Sequence, residues 1–138
     1  MSKTTIRLLH VEDDNIQQLV FARHLKAIDD YQFEITVATT ENAALKEFVG
    51  REFDLVILDY HLSQGNGINC LRFIRQHNPT VAVIAISGVA TDEIAADLIE
   101  AGADDYLAKQ TLDKKVLAQS VRNVLTRAKA YRSRFVTA

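Results

Sequence analysis

Leu55-Val56-Ile57-Leu58-Asp59 is a run of four apolar residues, with no polar alternation, that ends on a carboxylate. A strand apolar on both sides suits the middle of a parallel sheet, where helices cover both faces. Three other runs end on reactive groups in the same way. Ile6–Val11 leads into Glu12-Asp13-Asp14, Val81–Ile86 into Ser87, and Tyr106-Leu107-Ala108 into Lys109. In an open parallel sheet, ligands bind outside the carboxyl ends of the strands. The pattern therefore brings acids, a hydroxyl and an ammonium to one sheet edge.

Helical patterns fill the intervals. Asp14 or Asn15 caps a helix reaching about Ile28, with Ile16, Leu19 and Val20 beginning its buried face. Phe33–Ala38 alternates as the second strand. Thr39 or Thr40 caps a helix with Ala44, Leu45, Phe48 and Val49 on one side, closed by Gly50. A polar loop over Ser63–Gly67 precedes a helix with Ile68, Leu71 and Ile74 inward, ending before Asn78-Pro79. Thr91 caps the next helix, Ala101-Gly102-Ala103 ends it, and Asp113 caps the last. Five strand–helix repeats predict a doubly wound α/β domain with a five-stranded parallel sheet, since each parallel pair needs a crossover.

The bulk numbers agree with one globular domain. The chain has 138 residues, 48% hydrophobic and 25% charged, with net charge −2. Nothing in that balance attracts nucleic acid or an anionic membrane. The single cysteine, Cys70, fits a reducing cytoplasm and reads as a small buried hydrophobe. No signal-peptide pattern precedes the first strand, and no apolar run approaches the roughly 20 residues of a membrane span.

From Arg122 to Ala138 there are five basic residues and no acidic ones. Leu117, Val121, Val124, Ala128, Tyr131 and Phe135 form a heptad-like stripe. One reading is a final helix packed to about Leu125, followed by a frayed tail. The other is a helix that continues past the domain and pairs with a partner.

Taken singly, each candidate residue has a plain explanation. Glu12-Asp13-Asp14 reads as a solvated loop and helix cap, Lys109 as a surface charge, Ser87 as a turn or cap, and Tyr106 as a strand aromatic. Together they suggest more. Three crowded carboxylates repel one another unless a cation neutralises them, and hard oxygen ligands suit Mg²⁺. His10 reads as a strand residue, and His24 and His77 as helix-surface or helix-end residues.

Four segments carry a family resemblance over about residues 4–127. They are Leu8-Leu9-His10-Val11-Glu12-Asp13-Asp14, Ile57-Leu58-Asp59-Tyr60-His61-Leu62 with Gly67, Ala85-Ile86-Ser87-Gly88, and Ala101 through Lys109. In order and spacing the chain resembles the receiver domain of two-component response regulators. The resemblance implies a flavodoxin-like sheet of order 2-1-3-4-5. It implies Asp59 as phosphoacceptor, supplied by a sensor histidine kinase or histidine phosphotransfer protein. Asp13 and Asp59 would bind Mg²⁺, with Glu12 through water and the His61 backbone carbonyl. Lys109 would offset phosphoryl charge, Ser87 would move to bond the new phosphoryl group and Tyr106 would turn inward behind it, reshaping the surface of the fourth helix, fifth strand and fifth helix.

On this reading residues 4–127 are the receiver and 128–138 a basic extension of the last helix. The chain is a switch rather than a turnover enzyme, acting on a downstream protein target, an appended output domain or a second copy of itself. A phosphatase of the aspartyl-phosphate type would need an acid two residues after Asp59, where His61 stands. Nucleotide-binding glycine motifs are absent. The remaining alternative is an interaction module independent of phosphorylation.

Two positions depart from the family pattern. Gln110 replaces a proline usually joined by a cis bond, so the expectation is a trans bond or a strained exception. Ser63 replaces a loop proline. His61 and Val89 flank the site at positions that tune phosphoryl lifetime in the family.

Overall fold

The computed structural model describes residues 3–62, 66–89 and 91–136, and for Phe135 and Val136 the backbone only. Ser63 and the Phe135 side chain thus lie outside the described residues. Five strands, β1 (Thr4–Val11), β2 (Tyr31–Ala38), β3 (Leu55–Asp59), β4 (Ala82–Ser87) and β5 (Asp105–Ala108), form one parallel sheet of order β2-β1-β3-β4-β5. Between and after them run α1 (Asn15–Lys26), α2 (Glu41–Gly50), α3 (Gly67–His77), α4 (Asp92–Ala101) and α5 (Lys114–Val136). A short 3₁₀ turn, Lys109–Thr111, joins β5 to α5.

Strand side chains alternate between two cores, as the twofold period of a strand requires. Leu9, Val11, Val56, Leu58, Val83 and Ala85 pack with α2, α3 and α4 residues such as Phe48, Leu71 and Leu98. Leu8, Leu55, Ile57, Ile84 and Ile86 pack with Phe21 and Leu25 of α1 and with Leu117, Val121 and Val124 of α5. All five residues of β3 are buried, as its unbroken apolar run predicts. The register then aligns the strand ends. Val11 lies opposite Leu58, Asp59 opposite Ile86, and Ser87 opposite Ala108. The residues that follow these strands emerge side by side.

Four helix caps are those the sequence offers, and a fifth, Asn66 Oδ1 accepting from the Asn69 amide at the start of α3, was not among them. Asp14 Oδ1 accepts from the Ile16 and Gln17 amides, Thr40 from Ala43, Thr91 from Ile94, and Asp113 from Val116.

Two expectations need correction. Ile16, Leu19 and Val20 do not begin the buried face of α1: the first two are each 70% exposed. Phe21, Leu25 and Ile28 recur at i, i+4 and i+7 and take the sheet side, which turns Ile16 and Leu19 to the opposite face. Gly50 is the last residue of α2, as expected, though without a left-handed turn: Gly102 is the one described residue with positive φ, 118°. At the end of α4, Gly102 N–H reaches Ile99 O and Leu98 O, and Ala103 N–H also reaches Leu98 O. Finally, α5 neither frays nor leaves the core at Leu125. It runs to Val136, and Ala128 is still buried against the second core.

A side chain of α3 ties several turns together. Arg75 Nε and Nη2 donate to Gly102 O at 3.0 and 2.7 Å, and Nη1 donates to Val81 O at 2.7 Å. Its Nη2 also reaches Asp104 Oδ2, which accepts the Val83 amide. This one guanidinium joins the start of β4 and the end of α4 to the approach of β5.

Candidate functional site

The carboxyl edge of the sheet holds the expected cluster. Glu12 follows β1 and Asp59 ends β3, and they are only 1% and 3% exposed. Carboxylate oxygens of Glu12, Asp13 and Asp59 all lie within 4.8 Å of one another. Lys109, just beyond β5, reaches across with its Nζ 3.0 Å from Asp59 Oδ2 and 3.3 Å from Glu12 Oε1. One ammonium among three carboxylates leaves a net deficit of positive charge, and all the acidic donors are hard oxygens. That donor set fits a small divalent cation such as Mg²⁺.

Backbone geometry fixes the cluster. The Glu12 amide extends the β1–β2 ladder to Ala38 O, and Gln18 Nε2 on α1 bonds Glu12 O at 2.8 Å. Tyr60 N–H donates to Ile86 O, continuing the β3–β4 pairing past Asp59. His61 N–H then turns back to Asp59 Oδ1 at 3.0 Å. Gly67 closes this loop, its N–H on Tyr60 O. A Cβ there would lie 2.9 Å from Tyr60 Cα and 3.0 Å from Asp59 O, so only glycine fits without moving backbone.

The electrostatics follow from crowding. Burial, and then the charge of Asp59, push the Glu12 carboxyl up to about 7. For Lys109, burial works against the charge, but the bond to Asp59 and the fields of Asp59 and Glu12 outweigh it and hold the ammonium above its ordinary value. Burial drives His10 down to about 4, so it is neutral and adds no counter-charge. Its ring packs on Phe21, centroids 4.8 Å apart, as a strand residue.

Ser87 is fully buried at the end of β4, with its hydroxyl donating to Val89 O at 2.9 Å and accepting from Val89 N–H at 3.1 Å. Tyr106 packs on the first core, and its hydroxyl is buried with no hydrogen-bond partner among the described residues. The ring thus already lies inward. The Lys109–Gln110 bond is trans, as expected without proline. Gln110 Nε2 bonds Gly88 O. The contacts of Gln18 and Gln110 were not legible in sequence, because an amide on a loop or helix gives no spacing signal. His61 and Val89 meet the site through their backbone, His61 N–H on Asp59 Oδ1 and Val89 N–H on Ser87 Oγ.

Comparison with known proteins gives the family. The response regulator receiver domain model matches residues 8–122. The transcriptional regulatory protein MalR of Bacillus subtilis is 33% identical over 104 residues, covering 75% of this chain and 44% of MalR. ZraR of Escherichia coli K12, also a transcriptional regulatory protein, is 28% identical over 109 residues, covering 79% of this chain and 24% of ZraR. The chain therefore spans less than half the length of either relative. The signal receiver domain of a putative Luxo repressor protein from Vibrio parahaemolyticus superposes with a TM-score of 0.81 at 29% identity, covering 93% of this chain and 95% of that one. The strand order, the acids and lysine gathered at the sheet edge, and a family match over most of its length place this chain in the response regulator receiver domain family of two-component systems.

Proposed function

We propose that this receiver is a phosphorylation switch with Asp59 as its phosphoacceptor. The observation that carries the reading is the buried Asp59 carboxylate, 3.0 Å from Lys109 Nζ and grouped with Glu12 and Asp13. Asp59 attacks the phosphorus of a phosphohistidine on a sensor histidine kinase or histidine phosphotransfer protein. A P–O bond forms, the P–N bond breaks, and the departing ring nitrogen is left on the donor histidine. Catalysis of such a transfer is mostly positioning and electrostatics.

Lys109 offsets charge on the transferring group, and the His61 N–H keeps Asp59 oriented. Asp13, Asp59 and the His61 backbone carbonyl would hold Mg²⁺, with Glu12 acting through water. Bound there, the ion neutralises negative charge on the acids and on the phosphoryl oxygens. Ser87 and Tyr106 then transmit the change to the α4-β5-α5 surface, a local charge event with a distant readout.

The donor docks beside the site. Ile16 and Leu19, at the first turns of α1, lie just after the acidic loop and present apolar surface to solvent. The downstream readout is a protein target, an appended output domain or a second copy. We place the domain at residues 4–127, with 128–138 as a basic extension, and the setting in the cytoplasm. No described helix is long and apolar enough to cross a membrane.

The test is intact mass after incubation with Mg²⁺ and a small phosphoryl donor. One phosphoryl on the parent and none on Asp59→Asn is expected. Labelling of the Asp59→Asn protein refutes the assignment. An unlabelled parent that nonetheless binds Mg²⁺, tested also with a phosphorylated histidine protein, favours an interaction module instead.

A further inference from the structure

The position after Lys109 carries a side-chain amide where the family usually has proline, which has none. Its surroundings give that amide a partner. Ser87 and Ala108 are register partners in the β4–β5 pair, so the loops leaving the two strands run side by side. Gln110, two residues past Ala108, meets Gly88, one residue past Ser87. The trans Lys109–Gln110 bond places Gln110 within the 3₁₀ turn that brings it there.

The contact reaches the serine through one peptide group. Gln110 Nε2 donates to Gly88 O, and the same planar unit ends in the Val89 N–H. That N–H donates to Ser87 Oγ at 3.1 Å, while the Ser87 hydroxyl donates to Val89 O at 2.9 Å. Fixing the carbonyl direction fixes the N–H direction. The one proton of Ser87 is committed to Val89 O. To donate to a phosphoryl group on Asp59, Ser87 must give up that bond.

We propose that Gln110 is a positioning residue that latches the Gly88–Val89 peptide after β4 in its resting arrangement and so opposes recruitment of Ser87. This rests on the phosphoacceptor reading above. In the receiver-competent arrangement the Gly88–Val89 peptide reorients, and the Gln110 amide loses its acceptor. The latch sets how much of the unphosphorylated protein has Ser87 available. Phosphorylation from a small donor reads that fraction directly, because apparent affinity scales with the competent population.

The test compares the parent with Gln110→Met and Gln110→Glu, two variants of similar length that lack the amide donor at pH 7.5. Amide hydrogen exchange at Val89 and the rate of labelling by a small phosphoryl donor at fixed Mg²⁺ are measured on each. Both should rise about fivefold in both variants, the population change matching one neutral hydrogen bond. A residue with a merely structural role lowers the unfolding midpoint and leaves both readouts at parent values, which would overturn the latch. A slower labelling rate also overturns it, since Gln110 would then be organising the loop for transfer. An unlabelled parent removes the switch reading alone. Val89 exchange, rising or unchanged, still decides whether Gln110 holds the loop.

Discussion

Replacing Gly67 by alanine tests whether the fold and the site share one constraint. The added Cβ would lie 2.9 Å from Tyr60 Cα, 3.0 Å from Asp59 O and 3.5 Å from Asp59 C. All three atoms are backbone, so no side chain can rotate away. Ordinary carbon–carbon contact is about 3.5–4.0 Å, so the start of α3 or the Asp59–Tyr60 segment must move by roughly 0.5–1 Å. Overpacking of this kind costs about 1–3 kcal/mol, set against at most about 1 kcal/mol of helix propensity gained by alanine. Gly50 supplies the control, because nothing lies within 4 Å of its Cβ position and its φ is not positive. Gly50→Ala should be neutral or stabilising by up to about 1 kcal/mol. Urea unfolding compares the two variants. The site should respond as well, since displacing a reacting group by about 1 Å can slow transfer roughly a hundredfold. If Gly67→Ala keeps parental stability and parental labelling of Asp59, the close approach does not constrain the loop.

Arg75→Met should destabilise the protein by about 3 kcal/mol in urea unfolding, because it strips donors from Gly102 O and Val81 O and leaves the Asp104 carboxylate without its cation. A loss below about 1 kcal/mol would make the guanidinium a surface ornament. For Glu12, raised to about 7, the carboxyl is protonated below that value and must lose its proton to serve a cation. Calorimetric titration with Mg²⁺ should show affinity about 30-fold weaker at pH 5.5 than at pH 8, and Glu12→Gln should remove most of that dependence. The sign for the metal-free fold is opposite. A raised folded-state value stabilises below the ordinary 4.5, and the contribution fades as pH rises through about 7. Leu19→Asp, on the exposed face of α1, should leave unfolding and small-donor labelling unchanged while slowing transfer from a phosphorylated histidine protein at least tenfold. Equal slowing with both donors would move the docking face elsewhere.

The strands were legible because a buried parallel strand has only one sequence appearance, an apolar run such as Leu55–Leu58. The cluster was legible for a related reason: strand ends in parallel register lie at one edge, so reactive residues after apolar runs must converge. Helix faces were harder. In α1 two apolar sets compete, Ile16/Leu19 three residues apart and Phe21/Leu25 four apart, and both spacings suit one face of a helix. Only the packing of Phe21 and Leu25 on Ile6, Leu8 and Ile57 decides between them. Glycine was ambiguous in the same way, since Gly50 and Gly102 both end helices, yet only Gly102 needs φ near 118°. Arg75 gave no signal at all. Its partners are carbonyl groups brought near by the tertiary fold, and a carbonyl is the same at every position.

The places where local rules are broken coincide with the site. Two carboxylates are buried beside each other, and the Tyr106 hydroxyl is buried without a partner, an arrangement that costs about 1–3 kcal/mol. Elsewhere the described structure satisfies its buried side-chain groups, as with Ser120 Oγ on Asp105 and Arg75 on its carbonyls. A core selected for stability alone would remove such groups, so their retention calls for a compensating use. For the carboxylates, added positive charge removes their repulsion. The hydroxyl is a different case: it gains only if a neighbouring backbone carbonyl turns toward it. The Gly88–Val89 segment, held now by Ser87 and Gln110, is the one whose reorientation would supply one. Tyr106→Phe separates the two effects. It should stabilise the unphosphorylated protein by about 1 kcal/mol in urea unfolding, because the unpaired hydroxyl is gone. It should also narrow the difference in Val89 exchange between phosphorylated and unphosphorylated protein. A destabilised Tyr106→Phe protein would show that the hydroxyl already has a partner, and the link between its burial and the loop would fall.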